Sequence, residues 1–546
     1  MNPFKFKLLV LTLVALAETG TIAFASDKTR PSGDPQSLTA KIDAYFTRTW
    51  ANAGIKPADA CDDAEFLRRV SLDLGGRIPS VSHTRAFLAD NRPDKRRRLV
   101  DELLASPDYI NHAARVWRSL LLPETTGSPL AAYLSSPMED WLRAKLRGNT
   151  PYDAMVRELI SVPYDPRAIS NSTVAAPSPL AFYAGKDFKP ENLAAATGRV
   201  FLGIKLECAQ CHNHPFADWK RDQFWAFAAF FSGLDDPTPV AMNQERKEAP
   251  DRRELKIPGT DRVVRASFPD GSEPAWKAKE PTRAVLAAWI TRPENPYFSR
   301  AISNRMWSWF FGSGLTDPVD EIAGGQNKPA HPQLLDEIAK EMAANRFDLK
   351  FVIRAITASR VYQLSSAASN PGREDPQQFA RMSVRALSAD QLYDSLARAT
   401  GFREEGSNII GFGPGGPARF TFLTKFGAAT EKSTEVQMSI LQALTLMNGK
   451  LIADVTSLER SETLAAILDA PFFDTEERVE TLYLATLSRK PRPSESSRAR
   501  QFLEAAVEVD PGQEKNPKEA REKRYKHAFA DLFWALLNCG EFYLNH

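Results

Sequence analysis

Cysteine is scarce: Cys61, Cys208, Cys211 and Cys539 are the only four in 546 residues. So few thiols exclude a fold built on a disulfide framework. Net charge is nearly absent as well, at +2 from 70 basic and 68 acidic residues. Nucleic acids and anionic membrane surfaces are met by a basic face, so neither is expected as a partner. The run Lys95-Arg96-Arg97-Arg98 continues into an amphipathic pattern and reads as a solvated helical face. Past the N-terminus no apolar run reaches membrane-spanning length. The glycine-rich stretch Gly411 to Gly416 has no Lys-Ser/Thr after it and no strand before it, so it is a loop and not a phosphate cradle. Neither a Gly-x-Ser-x-Gly elbow nor a His-Glu-x-x-His pair occurs.

What is present starts with an export signal. Lys5 and Lys7 precede a short apolar run, Leu8 to Ala17, and Ala23-Phe24-Ala25 offers a small-x-small cleavage site. This order predicts a signal peptide over residues 1–25 and a mature chain in the periplasm or secreted. No cysteine follows the cut, so no lipid anchor is expected. The length implies more than one domain, and 43% hydrophobic residues imply packed cores.

The periodicity predicts a mainly α protein. An N-terminal helical domain is expected over 38–233, a linker with short strands over 234–281, and a second helical domain over 282–546. In the first, Phe66, Leu67, Val70 and Leu74 recur at helical spacing before Gly75-Gly76. Short helices follow over 85–89, 95–105 and 107–121. Ser136-Pro137-Met138-Glu139 reads as a helix start, with Ser as N-cap and Pro in the first turn, and Gly148 as its stop. Thr150-Pro151-Tyr152-Asp153 reads the same way. Residues 161–189 read as a loop. Pro190 opens a helix that runs into the cysteine motif, and an aromatic helix, about 222–231, follows it. In the linker, Glu254 to Ile257 and Val263 to Phe268 flank a turn and suggest a small hairpin. Further helices are expected at 282–291, 297–311, 332–343, 349–364, 388–400, 433–455, 476–488, 494–507 and 522–544.

The chemistry concentrates at Cys208-Ala209-Gln210-Cys211-His212. Two thiols three positions apart can form thioethers with both vinyl groups of one haem, and the adjacent histidine then ligates the iron. Haem c is therefore one expected cofactor, with an envelope redox or electron-transfer role and a redox partner protein. A zinc site is a second reading, with Cys208, Cys211, His212 and His214 as ligands and Asp218 close behind. A disulfide between Cys208 and Cys211 is a third. Both non-haem readings suit a secreted interaction or polymer-degradation-associated protein. Met242, His112 and His331 are candidate sixth ligands to a haem iron, and Met306 reads as core. Asp317, Asp320 and Glu321 are a candidate cation or acid/base set, including for an enzyme on polymeric substrates. The plainer account is turn and N-cap chemistry. A buried ion pair from Arg305 to one of these aspartates, and a local lock between Asp73 and Arg77, are structural expectations.

Two long stretches resemble a known family. Phe66-Leu67-Arg68-Arg69-Val70-Ser71-Leu72-Asp73-Leu74-Gly75-Gly76-Arg77-Ile78-Pro79-Ser80 and Phe201-Leu202-Gly203 through His214-Pro215-Phe216 are similar to the signatures of a secreted, planctomycete-type domain of unknown function. The later half resembles its usual companion domain, through Asn304-Arg305-Met306-Trp307, Phe311-Gly312-Ser313-Gly314-Leu315, Asp317-Pro318-Val319-Asp320 and Glu541 to His546. The family is labelled cytochrome-associated partly because many members carry a separate cytochrome c domain in front. That layout is not seen here, so a haem assignment rests on Cys208, Cys211 and His212 alone.

Overall fold

A computed structural model describes residues 33–123, 129–164, 176–213, 219–234, 248–322, 329–367, 376–403, 416–426, 449–508 and 516–546. The expected signal segment, His214, Asp218, Met242 and most of the expected 433–455 helix lie outside these residues. The described chain is mainly α, with two very small antiparallel sheets. Among the described residues no helix is long and apolar enough to cross a membrane.

Local sequence accounts for many helix ends. Asp62 caps Asp63–Val70 by accepting from Glu65 N, and Ser106 caps Pro107–Leu121 by accepting from Tyr109 N. Asn295 caps Pro296–Phe311, which ends on left-handed Gly312. The hairpin forms where the turn residues place it, with Glu254–Lys256 (β1) pairing antiparallel to Val263–Arg265 (β2).

Several boundaries differ from the expectation. The helix expected to begin at Ser136 is one continuous helix, Pro129–Arg147, with Pro137 inside it. Ala131 and Leu134, upstream of the proline, are buried in the same core as Met138 and Leu142, so packing outweighs the one hydrogen bond that proline removes. Thr150 is not a cap; Tyr152–Ser161 starts after Pro151. The expected 349–364 helix stops at Ala358, where Ser359 is extended and bonds back to Ile356 O. The chain then turns through residues 360–363, and Leu364 bridges Ala60. The terminal helix divides into Pro517–Leu537 and Gly540–Tyr543, and Leu544–Asn545 (β4) pairs with Arg385–Ala386 (β3), a pairing too short to leave a period-two pattern.

Among the described residues, two apolar clusters form the core. The larger draws on both halves of the chain, from Leu38 to Met382, and includes Trp307 and the aromatic helix residues Phe224, Phe227, Phe230 and Phe231. The smaller gathers residues 392–542 around Phe529 and Phe533, with Leu72 and Ile78 inserted from the N-terminal half. Leu72 and Leu74 flank Asp73 in one π-helical turn, Ser71–Gly75, yet belong to different clusters.

Candidate functional site

The cysteine motif sits on a short 3-10 turn, Glu207–Gln210, with Cys211 at its end. A π-helical turn, Gly198–Leu202, leads into it from the Pro190–Thr197 helix. In a 3-10 turn residues three apart lie over one another. Cys208 and Cys211 are both exposed free thiols, while Ala209 between them is buried. The turn is fixed from behind: Trp225 Nε1 donates to Gln210 O at 3.0 Å, and Arg221 N donates to Asn213 Oδ1 at 3.0 Å. His212 is exposed, and its Nδ1 lies 2.7 Å from the Asn213 carbonyl. With Nδ1 as the donor, Nε2 carries the lone pair.

The companion half buttresses this turn. Ile322 N donates to Gly203 O at 2.8 Å, five residues before Cys208. Gly203 has φ +63°, and a Cβ there would lie 2.9 Å from Ile322 Cδ1. The loop that carries Ile322 is held by buried Asn304, whose Nδ2 donates to Thr316 O and Val319 O and whose Oδ1 accepts from Thr316 N. Arg305 is ion-paired to Asp320, as the sequence led one to expect. Asp320 is therefore engaged in holding the loop. The peptide Asp317-Pro318 is cis.

The donor set suits covalent haem attachment: two accessible thiols on one turn, followed by an imidazole whose second nitrogen already has a backbone partner. Among the described residues no three His, Cys, Asp or Glu side chains come together as a metal-binding group. Cys208, Cys211 and His212 do not form one, and His214 lies outside the described residues. Cys61 and Cys539 are also free thiols, Cys61 buried beside Arg69 and Arg96.

Neither His112 nor His331 stands free to reach a haem. His331 is buried, with Nδ1 3.1 Å from Tyr45 Oη and Nε2 2.7 Å from Gln377 O. His112 is buried near the Trp309 ring, and burial, with Arg115 nearby, pushes its pKa down to about 4. Met306 is in the core.

A second concentration of polar groups escaped the sequence reading. Asp73 is fully buried on its π-helical turn and accepts from Arg385 Nη2 at 2.9 and 3.1 Å, Tyr362 Oη at 2.8 Å and Asn545 Nδ2 at 2.7 Å. Burial pushes its carboxyl up, against the pull of Arg385 and Tyr362. The expected partner, Arg77, instead binds Asp108 at 2.6 Å. Arg77 has followed Gly76 out of the helix, whereas Asp73 faces inward. No spacing rule links Asp73 to positions 362, 385 and 545; the one local signal is a carboxylate set between Leu72 and Leu74. These groups line a cleft of about 570 Å³ with His112, Arg305 and Trp309.

The architecture is thus a mainly helical chain with two joined halves and an exposed Cys-x-x-Cys-His turn a few residues from the Gly203–Ile322 contact between them. Family models meet it in two places: PSCyt2, a protein of unknown function (DUF1549), over residues 41–236, and PSD1, a protein of unknown function (DUF1553), over residues 282–411. The chain carries these two domains in tandem. No curated protein and no solved structure matches it.

Proposed function

We propose that this is an exported protein that carries one covalently attached haem c and works in electron transfer in the cell envelope. The observation that supports it is the combination of two exposed thiols, Cys208 on the 3-10 turn and Cys211 at its end, with His212 held through Nδ1 by the Asn213 carbonyl. Cys208 and Cys211 would each add S–H across a vinyl C=C, forming a C–S bond with no leaving group. His212 would hold the iron through Nε2, its tautomer set by the Nδ1 contact. A bound haem supplies one-electron redox chemistry. Trp225 and Arg221 keep the turn in place, and the Gly203–Ile322 contact fixes the approach to it. The export expectation, from the N-terminal charge and apolar run, agrees with a cofactor attached outside the cytoplasm.

The test is expression of the full chain with the cytochrome c maturation machinery. One haem per chain by pyridine haemochrome, retained in denaturing electrophoresis and lost in Cys208→Ala/Cys211→Ala, is the expected result. Colourless wild-type protein under those conditions overturns the reading, and stoichiometric zinc would put a metal site in its place.

A further inference from the structure

We propose that the cleft between the two apolar clusters binds a neutral, polyhydroxylated ring ligand of monosaccharide to disaccharide size, whether or not haem is attached elsewhere. Its volume, about 570 Å³, lies within the range of small-molecule pockets. It opens where the π-helical turn Ser71–Gly75, the Pro107–Leu121 helix, the Pro296–Phe311 helix and β3 meet.

The charge inventory selects the ligand class. Four charged side chains line the cleft, and each already has a partner: Asp73 with Arg385, Arg305 with Asp320, and Asp390 with Arg419. His112, with its pKa pushed down to about 4, is uncharged at neutral pH. An ionic ligand would meet no uncompensated charge and would gain little over the pairs already in place. A purely apolar ligand would strip water from the Ser119 and Ser308 hydroxyls without replacing it. The remaining class carries both donors and acceptors around an apolar ring face. Hydroxyls both donate and accept, so they match the seryl hydroxyls of Ser119 and Ser308. The half-buried indole of Trp309 and the ring of Phe426 offer flat apolar surface of the kind that covers the C–H face of a sugar ring. Trp309 is fixed in place: its Nε1 donates to Asp73 O at 3.1 Å and its carbonyl accepts from Arg385 Nη1 at 2.9 Å.

The experiment titrates the full mature chain with glucose, galactose, mannose, fucose, N-acetylglucosamine, cellobiose, maltose and xylobiose. Galacturonate, glucose 6-phosphate and glycyl-proline serve as comparators, and tryptophan fluorescence and calorimetry as readouts. Ser308→Phe and Ser119→Phe fill the cleft from side chains outside the buried ion pairs, and circular dichroism confirms that each folds. Saturable binding of at least one neutral sugar, weakened tenfold or more in both variants, is expected. No saturable binding by any neutral sugar, binding unchanged in both variants, or tighter binding of a comparator would each overturn the proposal.

Discussion

Asp73 and Arg385 stand 312 residues apart in the chain and form a buried ion pair at 2.9 Å, across the seam between the two apolar clusters. Removing one member of such a pair leaves the other charged and desolvated. Asp73→Asn keeps the shape and removes the charge. It is expected to destabilise the fold by about 3–5 kcal/mol, read from urea denaturation. A loss below about 1 kcal/mol would show that Arg385 finds solvent or another acceptor.

Much of the molecule could be read from its residues, and Asp73 marks where that stops. Caps such as Ser106 and Asn295, the β1–β2 turn and the Arg305–Asp320 pair are local, and their signals lie within a few turns of chain. The Cys208 to His212 motif was visible because its chemistry is carried by contiguous residues. The Asp73 cluster draws on residues 362, 385 and 545, which only tertiary packing brings together. Pro137 misled for a related reason: a local helix-start rule was overruled by burial on both sides of the proline.

His112 makes the fold acid-sensitive in a defined window. Its folded pKa, about 4, lies below its ordinary value of 6.5, so the unfolded chain takes up the proton first. Stability from this group is complete above pH 6.5 and declines as pH falls towards 4, by up to about 3 kcal/mol. Comparing unfolding free energies of wild type and His112→Asn between pH 7 and 4 isolates the effect. The variant's curve should be flatter, and parallel curves would refute the assignment.

Gly203→Ala should cost more than Gly259→Ala. Both glycines have positive φ, +63° and +72°, but a Cβ at Gly203 meets Ile322 at 2.9 Å while one at Gly259 meets nothing within 4 Å. Backbone strain alone is worth roughly 1–2 kcal/mol at either position, and the overlap adds to it only at Gly203. Thermal unfolding of the two variants ranks them, and equal shifts would mean that the Ile322 loop moves aside freely.

For the proposed haem, single-cysteine variants are informative. Cys208→Ala or Cys211→Ala should keep one thioether, so haem stays with the chain in denaturing gels. The reduced α-band should move to longer wavelength, because one vinyl group remains conjugated with the ring. Complete loss of haem from either single variant would mean that both bonds are needed for retention.

The turn Ser71–Gly75 gives Leu72 to one cluster and Leu74 to the other. Two hydrophobic cores that share a single turn of backbone cannot open independently. Solvent reaching one side withdraws the anchor of the other. Cooperativity is thereby written into one stretch of chain, and a calorimetric scan should trace one endotherm where two separable halves would give two.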